Sequence, residues 1–419
     1  MITSIINARL LDCVGDVPIE NASVVVENGL IKDIFTGRHS FASDAMVIDA
    51  KGKTLMPGLI EAHDHFAVTT NDMGAVLFDP PFLTAVRIKA QLEKILRAGF
   101  TTVRDGGGGH WSHKQAVDEG LIIGPRLLIC GPLISNTGGH GDFNRRGEFT
   151  FPPSIGIVNL MHLADGEEEC RTAAREQFQL WTDHLKIAIT GGCASPNDEP
   201  WQVHMTEGEI KAFVEEATAH GMYVMAHSLN DQGNRRAVEC GVRTIEHGCF
   251  LSEETASIMK KKGAYLVATL AVVWWAERYG KEQGAAEWFL RKIANPCCSP
   301  DGASILEGMV SAAQTALRMG IPVGSGADYF GTMCGGETMN IKLLVDLVGM
   351  TPYQALKTAT IVNAEIIQRK DQLGSIEPGK RADLLIVDGA PDKDINVIVE
   401  PANVQLVVKD GKILKNTLT

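Results

Sequence analysis

A chain of 419 residues that is 45% hydrophobic can bury a large core and more than one domain. Its 39 basic against 51 acidic side chains leave a net charge of −12, which argues against nucleic-acid or anionic-membrane partners, since both require a basic face. No run reaches the length needed to cross a bilayer, and the opening MITSIINARLLDCVGDVPIE lacks the basic-then-apolar layout of a leader, so a mature cytoplasmic protein is expected.

Residues 1 to 57 alternate short β-type runs with turns, and ASVVVENGLIKDIF reads as a hairpin around Asn28-Gly29. From residue 58 the rhythm changes. Eight apolar runs follow, each with a loop and then a helix-like stretch: LMPGLIEAHDH, TTVRDGG, RLLICGPLI, HLKIAITGG, YVMAHS, TIEHG, AYLVATL and PVGSGADY. Interleaved segments such as TEGEIKAFVEEATAHG and SEETASIMKKKG have helical periodicity and end in Gly. That alternation predicts an α/β protein, a (β/α)8 TIM barrel over residues 58–358. A doubly wound sheet is the competitor, but no GxGxxG follows the first run, and DGGGGH at 105–110 lacks the Lys of a phosphate loop. Residues 359–419 return to the opening texture, with RADLLIVDG and a second hairpin at Asp410-Gly411, so the two ends are expected to pair as a small β-sandwich domain. Nine cysteines scattered without a CxxC pair read as reduced thiols, mostly core filler.

Catalytic groups of a barrel sit at the C-terminal ends of its strands. Here the first run ends in His63 and His65, the fourth carries Lys186, the fifth ends in His227, the sixth in His247 and the eighth in Asp328. Residues 63 and 65 project to one side of a strand, so the pair forms a clip for Zn, Mn, Fe or Co, to which Asp328 adds a hard oxygen. Any one of these residues alone has an ordinary explanation, as a loop histidine or a helix N-cap. Their coincidence at one end of the predicted strands does not follow from packing. Lys186 lies inside an apolar run, where an ammonium is costly, and burial favours the neutral amine that reacts with CO2 to give an anionic carbamate.

The runs PGLIEAHDH, LKI, AHS, IEHG, GAD and LGSIEPGKRADLLIVDG together resemble the amidohydrolase superfamily, over essentially the whole chain. SNTGGHGD and RRAVECGVRTIEHGCFLSEETASIMKKKGAYLVATL are similar to its imidazolonepropionase-related and prolidase-like branch, which also contains hydrolases of carbamates, phenylureas and ochratoxin. The resemblance implies two divalent ions, zinc foremost: one on His63, His65 and Asp328, the other on His227 and His247, with carboxylated Lys186 bridging. It implies that water activated between the ions attacks the carbonyl carbon, with Asp328 carrying the proton to the leaving amine. The second ion would polarise the carbonyl oxygen with help from His140, which follows Gly138 and Gly139 in a loop open to close ligand approach.

His110 and His113 have no acidic or thiolate third ligand beside them and read as loop residues near the pocket. One departure stands out. Peptidase-like relatives often place Tyr two residues after the fifth-run His, and this chain has Leu229, which donates no hydrogen bond and suggests an apolar substrate-binding pocket. AVVWWAERYGKEQGAAEWF adds Trp274, Trp275 and Trp288, as helix core or as an aromatic wall.

The expected activity is hydrolysis of an amide or peptide C–N bond in a small molecule or short peptide. A carboxypeptidase or dipeptidase releasing a hydrophobic residue leads. An amidase on aryl amides such as ochratoxin A, a carbamate or phenylurea hydrolase, and a ring-opening imidazolone or hydantoin hydrolase follow. A non-catalytic assembly protein on this fold would have lost ligands, whereas all six positions are filled here. Barrels of this kind commonly associate, so a homo-oligomer is expected.

Overall fold

The computed structural model describes residues 2–37, 45–71, 75–144, 158–299 and 301–418; residues 38–44 of the expected terminal domain and 145–157 of the expected barrel lie outside them. The chain opens with β1 (Ile2–Leu10), β2 (Ile19–Glu27), β3 (Leu30–Thr36), β4 (Met46–Asp49) and β5 (Thr54–Pro57). The central region then lays down β6 (Leu59–Asp64), β7 (Phe100–Asp105), β8 (Arg126–Leu128), β9 (Leu133–Ser135) and β10 (Met161–Leu163). It continues with β11 (Leu185–Ala188), β12 (Val224–Ser228), β13 (Thr244–His247), β14 (Tyr265–Ala268) and β15 (Val323–Ser325). The chain closes with β16 (Leu384–Val387), β17 (Val404–Lys409) and β18 (Lys412–Asn416).

Both ends join one mixed sheet of eight strands, ordered β18-β17-β16-β5-β1-β2-β3 with β4 also on β1. The antiparallel ladder of β5 on β16, Thr54 opposite Val387 through Pro57 opposite Leu384, ties the two ends together. Both predicted hairpins form. Their turns need left-handed backbone at Asn28-Gly29 (φ 51 and 82) and Asp410-Gly411 (φ 49 and 74). The tips also touch: a Cβ on Gly411 would stand 2.7 Å from the Gly29 Cα, so neither position admits a side chain. Ile5, Leu10, Val24, Leu384, Ile386 and Leu406 form an apolar cluster of this sheet's own.

β6 to β15 are all parallel where they pair, in a three-stranded sheet β6-β7-β8 and a seven-stranded sheet β10-β9-β11-β12-β13-β14-β15. Helices intervene, including Pro81–Arg97, Glu167–Gln179, Glu207–Ala219 and Ile305–Met319, which gives a TIM barrel-like arrangement. Two details differ from the sequence reading. RLLICGPLI is two strands in different sheets, because Gly131 (φ 73) and Pro132 break the run. The short β10 was not expected at all, since three residues carry no readable period.

The helix ends follow the sequence. Thr206 caps Glu207–Ala219 in a capping box with Glu209, Ser252 caps Glu253–Lys262, and Gly263 ends the latter in the left-handed region. Among the described residues, no helix is long and apolar enough to cross a membrane.

β5 passes into β6 through Gly58, where a Cβ would collide with Thr101. The end of β6 is then held against the segment after β15: Asp328 N donates to His63 O at 2.7 Å and His65 N to Tyr329 O at 2.9 Å. Those two bonds bring the first and last predicted ligand runs together.

Candidate metal centre

Each imidazole is held by one ring nitrogen, which decides what the other presents. His63 Nδ1–H donates to Glu246 Oε2 at 2.8 Å, leaving the Nε2 lone pair facing Lys186 Nζ at 3.0 Å. His65 Nδ1–H donates to the Gly107 carbonyl at 3.1 Å, so its Nε2 lone pair stands 3.2 Å from Asp328 Oδ1. His227 Nε2–H meets the Gly191 carbonyl at 3.3 Å, leaving Nδ1, and His247 Nδ1 bonds Thr269 Oγ1 at 2.6 Å, leaving Nε2. Donor atoms of His63, His247 and Asp328 lie within 4.8 Å of one another.

Lone pairs and a carboxylate converging in this way repel unless a cation lies between them, and the N,O donor set suits a divalent metal. Burial keeps the donors in the right protonation state. It holds the His63 and His227 imidazoles well below the ordinary range and His247 down to about 4, so all three are neutral. Burial likewise lowers the Lys186 amine.

Two of the predicted ligand positions strain the backbone: His247 (φ 67) and Asp328 (φ 58) are left-handed without being glycine. At His247 the turn defeats the strand's alternation. Glu246 bonds His63 while its neighbour His247 also reaches the cluster, its ring 5.1 Å from that of His63.

Sequence reasoning missed the groups behind these candidate ligands. Arg104, fully buried, gives both Glu246 oxygens a hydrogen bond at 2.9 Å and the Ala62 carbonyl another at 2.5 Å. Glu61 accepts from the His63 and Ala327 amides, each at 2.9 Å. A basic residue within the apolar FTTVRD was the available signal for Arg104. DGGGGH has a packing role instead of a phosphate one: a Cβ on Gly106 would stand 2.7 Å from the His63 ring.

The remaining sequence candidates separate cleanly. His140 and Leu229 line a cavity of about 90 Å³ together with His63, His65, Lys186, His227, His247 and Asp328. A larger cavity of about 670 Å³ shares Ala194, Val272, Phe289 and Phe330 with it and adds Trp275 and Trp288. Trp274 stacks under Arg278 instead. Gly138 (φ 73) belongs to a turn whose amide donates to Asp142. His110 and His113 close a capping box at the start of the helix Trp111–Asp118. Asp64 keeps company with buried Cys334 and Glu337, its donor atoms within 4.8 Å of theirs.

The buried imidazoles away from this cluster weaken the fold in acid, while the buried Glu337 carboxyl, raised to about 7 by burial, acts the other way. Burial holds His113 down to about 4 and His184 to about 3. Unfolded, both would take up protons near pH 6.5, so from there down to about 4 the unfolded chain binds more protons and stability falls as pH falls. In chelator, lowering the pH from 7 to 5 is therefore expected to cost the wild type more in melting temperature than His184→Gln, and equal changes would show that this ring is not kept neutral.

The amidohydrolase family profile matches residues 54–414. Ochratoxinase from Aspergillus niger is 29% identical, covering 98% of this chain and 86% of its own length. Imidazolonepropionase from Geobacillus thermodenitrificans is 25% identical, covering 95% and 91%. A prolidase crystallised with N-methylphosphonate-L-proline superposes with a TM-score of 0.92 at 36% identity, covering all of both chains.

Proposed function

The chain belongs to the amidohydrolase family, hydrolases acting on C–N bonds, and from that premise we propose a binuclear metal-dependent amidase or peptidase that releases a hydrophobic C-terminal residue. The active site lies in the segment 58–358, which we take as the hydrolase domain. His63, His65 and Asp328 would hold one divalent ion, His227 and His247 the other, and Lys186, carboxylated by CO2, would bridge them; zinc is the metal we expect. Such ions lower the pKa of water from 15.7 to roughly 7 and polarise a carbonyl. Asp328 receives the water's proton on a carboxylate oxygen and delivers it to the leaving nitrogen. Glu246 and the Gly107 carbonyl hold His63 and His65 in the tautomers that ligation requires.

The observation that carries the substrate class is the lining beyond the donors. Leu229, Val272, Phe289, Ile293 and Phe330 make an apolar wall that continues outward to Trp275 and Trp288. It favours a hydrophobic residue over a small polar dipeptide. The same wall, with the likeness to ochratoxinase, supports a second reading: an amidase on aryl amides such as ochratoxin A, or on carbamates or phenylureas. Kinetics on N-acyl-phenylalanines, dipeptides and aryl amides separate the two, and a preference for small polar dipeptides would overturn both.

Phe289 lines both cavities. Phe289→Ala is expected to lower kcat/KM for an aromatic substrate by roughly tenfold or more, from lost apolar contact, and to leave glycyl substrates nearly unchanged. Equal losses on both would place Phe289 outside the recognition wall.

A further inference from the structure

Alternation along β6 turns Asp64 away from the side that presents His63 and His65. There it meets Cys334, just past the turn Gly331–Met333, and Glu337, immediately before the helix Thr338–Asp346. Donor atoms of the three lie within 4.8 Å of one another, and the residues are 0%, 4% and 0% exposed.

The group is short of donors. Glu337 Oε1 accepts the Gly335 amide at 2.7 Å. Glu337 Oε2 and both oxygens of Asp64 have no hydrogen-bond partner among the described residues, so no cation of the protein bonds them. Buried polar atoms in folded proteins nearly always have a partner, and carboxyl groups sharing a buried pocket without one are costly.

The sulfur selects what that partner is. Gln91 Nε2 donates to the Val68 carbonyl at 3.1 Å and to Cys334 Sγ at 3.0 Å. The carbonyl fixes which end of the amide faces the sulfur, so Cys334 accepts there, as a thiolate does. An accepting sulfur and three free carboxyl oxygens repel one another unless a cation lies between them. A soft sulfur beside hard oxygens suits zinc, whose bonds of about 2.0–2.3 Å span separations of this order.

We propose that Asp64, Cys334 and Glu337 bind a zinc-type divalent ion as a structural site of its own, on the face of β6 opposite the histidine cluster. Both oxygens of Asp64, the sulfur and Glu337 Oε2 supply the tetrad that a closed structural site requires. The ion staples the end of β6 to the segment after Asp328, where Asp328 N already bonds His63 O and His65 N bonds Tyr329 O. None of the three donors lines either cavity, so the site takes no part in bond cleavage.

Cobalt(II) is the probe, because thiolate-to-cobalt charge transfer absorbs in the near ultraviolet and the histidine cluster offers only nitrogen and oxygen donors. Protein produced in cobalt-enriched medium is expected to show that band. Cys334→Ser, nearly isosteric, should lose it and carry one equivalent less of cobalt and zinc counted together. Metals on the histidine cluster cancel in that difference, so the outcome does not depend on the reaction catalysed. Glu337→Gln keeps the sulfur and serves if the serine variant does not fold; its affinity for the ion should fall by more than the roughly tenfold that changes behind ligands produce. A wild type without the band, a band that survives in Cys334→Ser, equal metal content in the two proteins, or unchanged affinity in Glu337→Gln would overturn the site.

Discussion

Lys186→Ala is expected to abolish hydrolysis, with a loss well beyond the roughly 10- to 100-fold that changes behind metal ligands produce. Lys186 is 2% exposed with its Nζ 3.0 Å from His63 Nε2, and burial lowers its pKa. A cation there would repel the ions that the surrounding lone pairs attract. Converted to a carbamate, the same side chain brings a negative charge and two oxygens to a cluster where burial keeps His63, His227 and His247 neutral and whose carboxylate is Asp328. The variant should retain less metal after dialysis, and acetate or formate should restore part of the activity by occupying the vacated space. Lys186→Arg, which keeps a cation and cannot form the carbamate, should be as inactive as the alanine variant. Full activity in Lys186→Ala would sink the bridging role.

Glu246→Ala should produce the largest loss of stability, about 3–5 kcal/mol, because it strands the buried Arg104 guanidinium. Glu246 and Arg104 are both fully buried, and Arg104 makes two bonds of 2.9 Å to that one carboxylate. The Thr244 hydroxyl also donates to Glu246, at 2.5 Å. Its loss has a second consequence: His63 Nδ1–H loses its acceptor, so the ring is free to turn and metal affinity should fall together with the unfolding midpoint. Glu246→Gln, which keeps the shape but not the charge, should lie between the two. A Glu246→Ala protein that unfolds with the wild-type midpoint in denaturant would mean that Arg104 finds another partner.

How far the site could be read in advance depended on how local each rule is. His63 and His65 were legible as a pair because alternation along a strand needs two residues and nothing else. His227 and Asp328 were found by their place after apolar runs, a local pattern repeated. Glu246 was not, since alternation alone separates it from His247, and the left-handed φ of 67 at His247 that brings both to the cluster leaves no mark in TIEHG. Arg104 showed only as a basic residue inside an apolar run, with nothing to name its partner. Its partner Glu246 lies 142 residues along the chain, and no period or spacing encodes such a meeting.

By itself the sequence determined the parallel α/β architecture, both hairpins, the helix caps and the donor types offered at the strand ends. Each follows from interactions within a few residues: turn torsions, capping hydrogen bonds and the two periodicities. Only the tertiary structure decided which nitrogen each histidine presents, that RLLICGPLI divides between two sheets, that Arg104 and Glu246 brace His63, and that an aromatic chamber stands outside the donors. Tautomer and charge are set by whatever group packs against the far side of a ring, and that neighbour arrives from another strand.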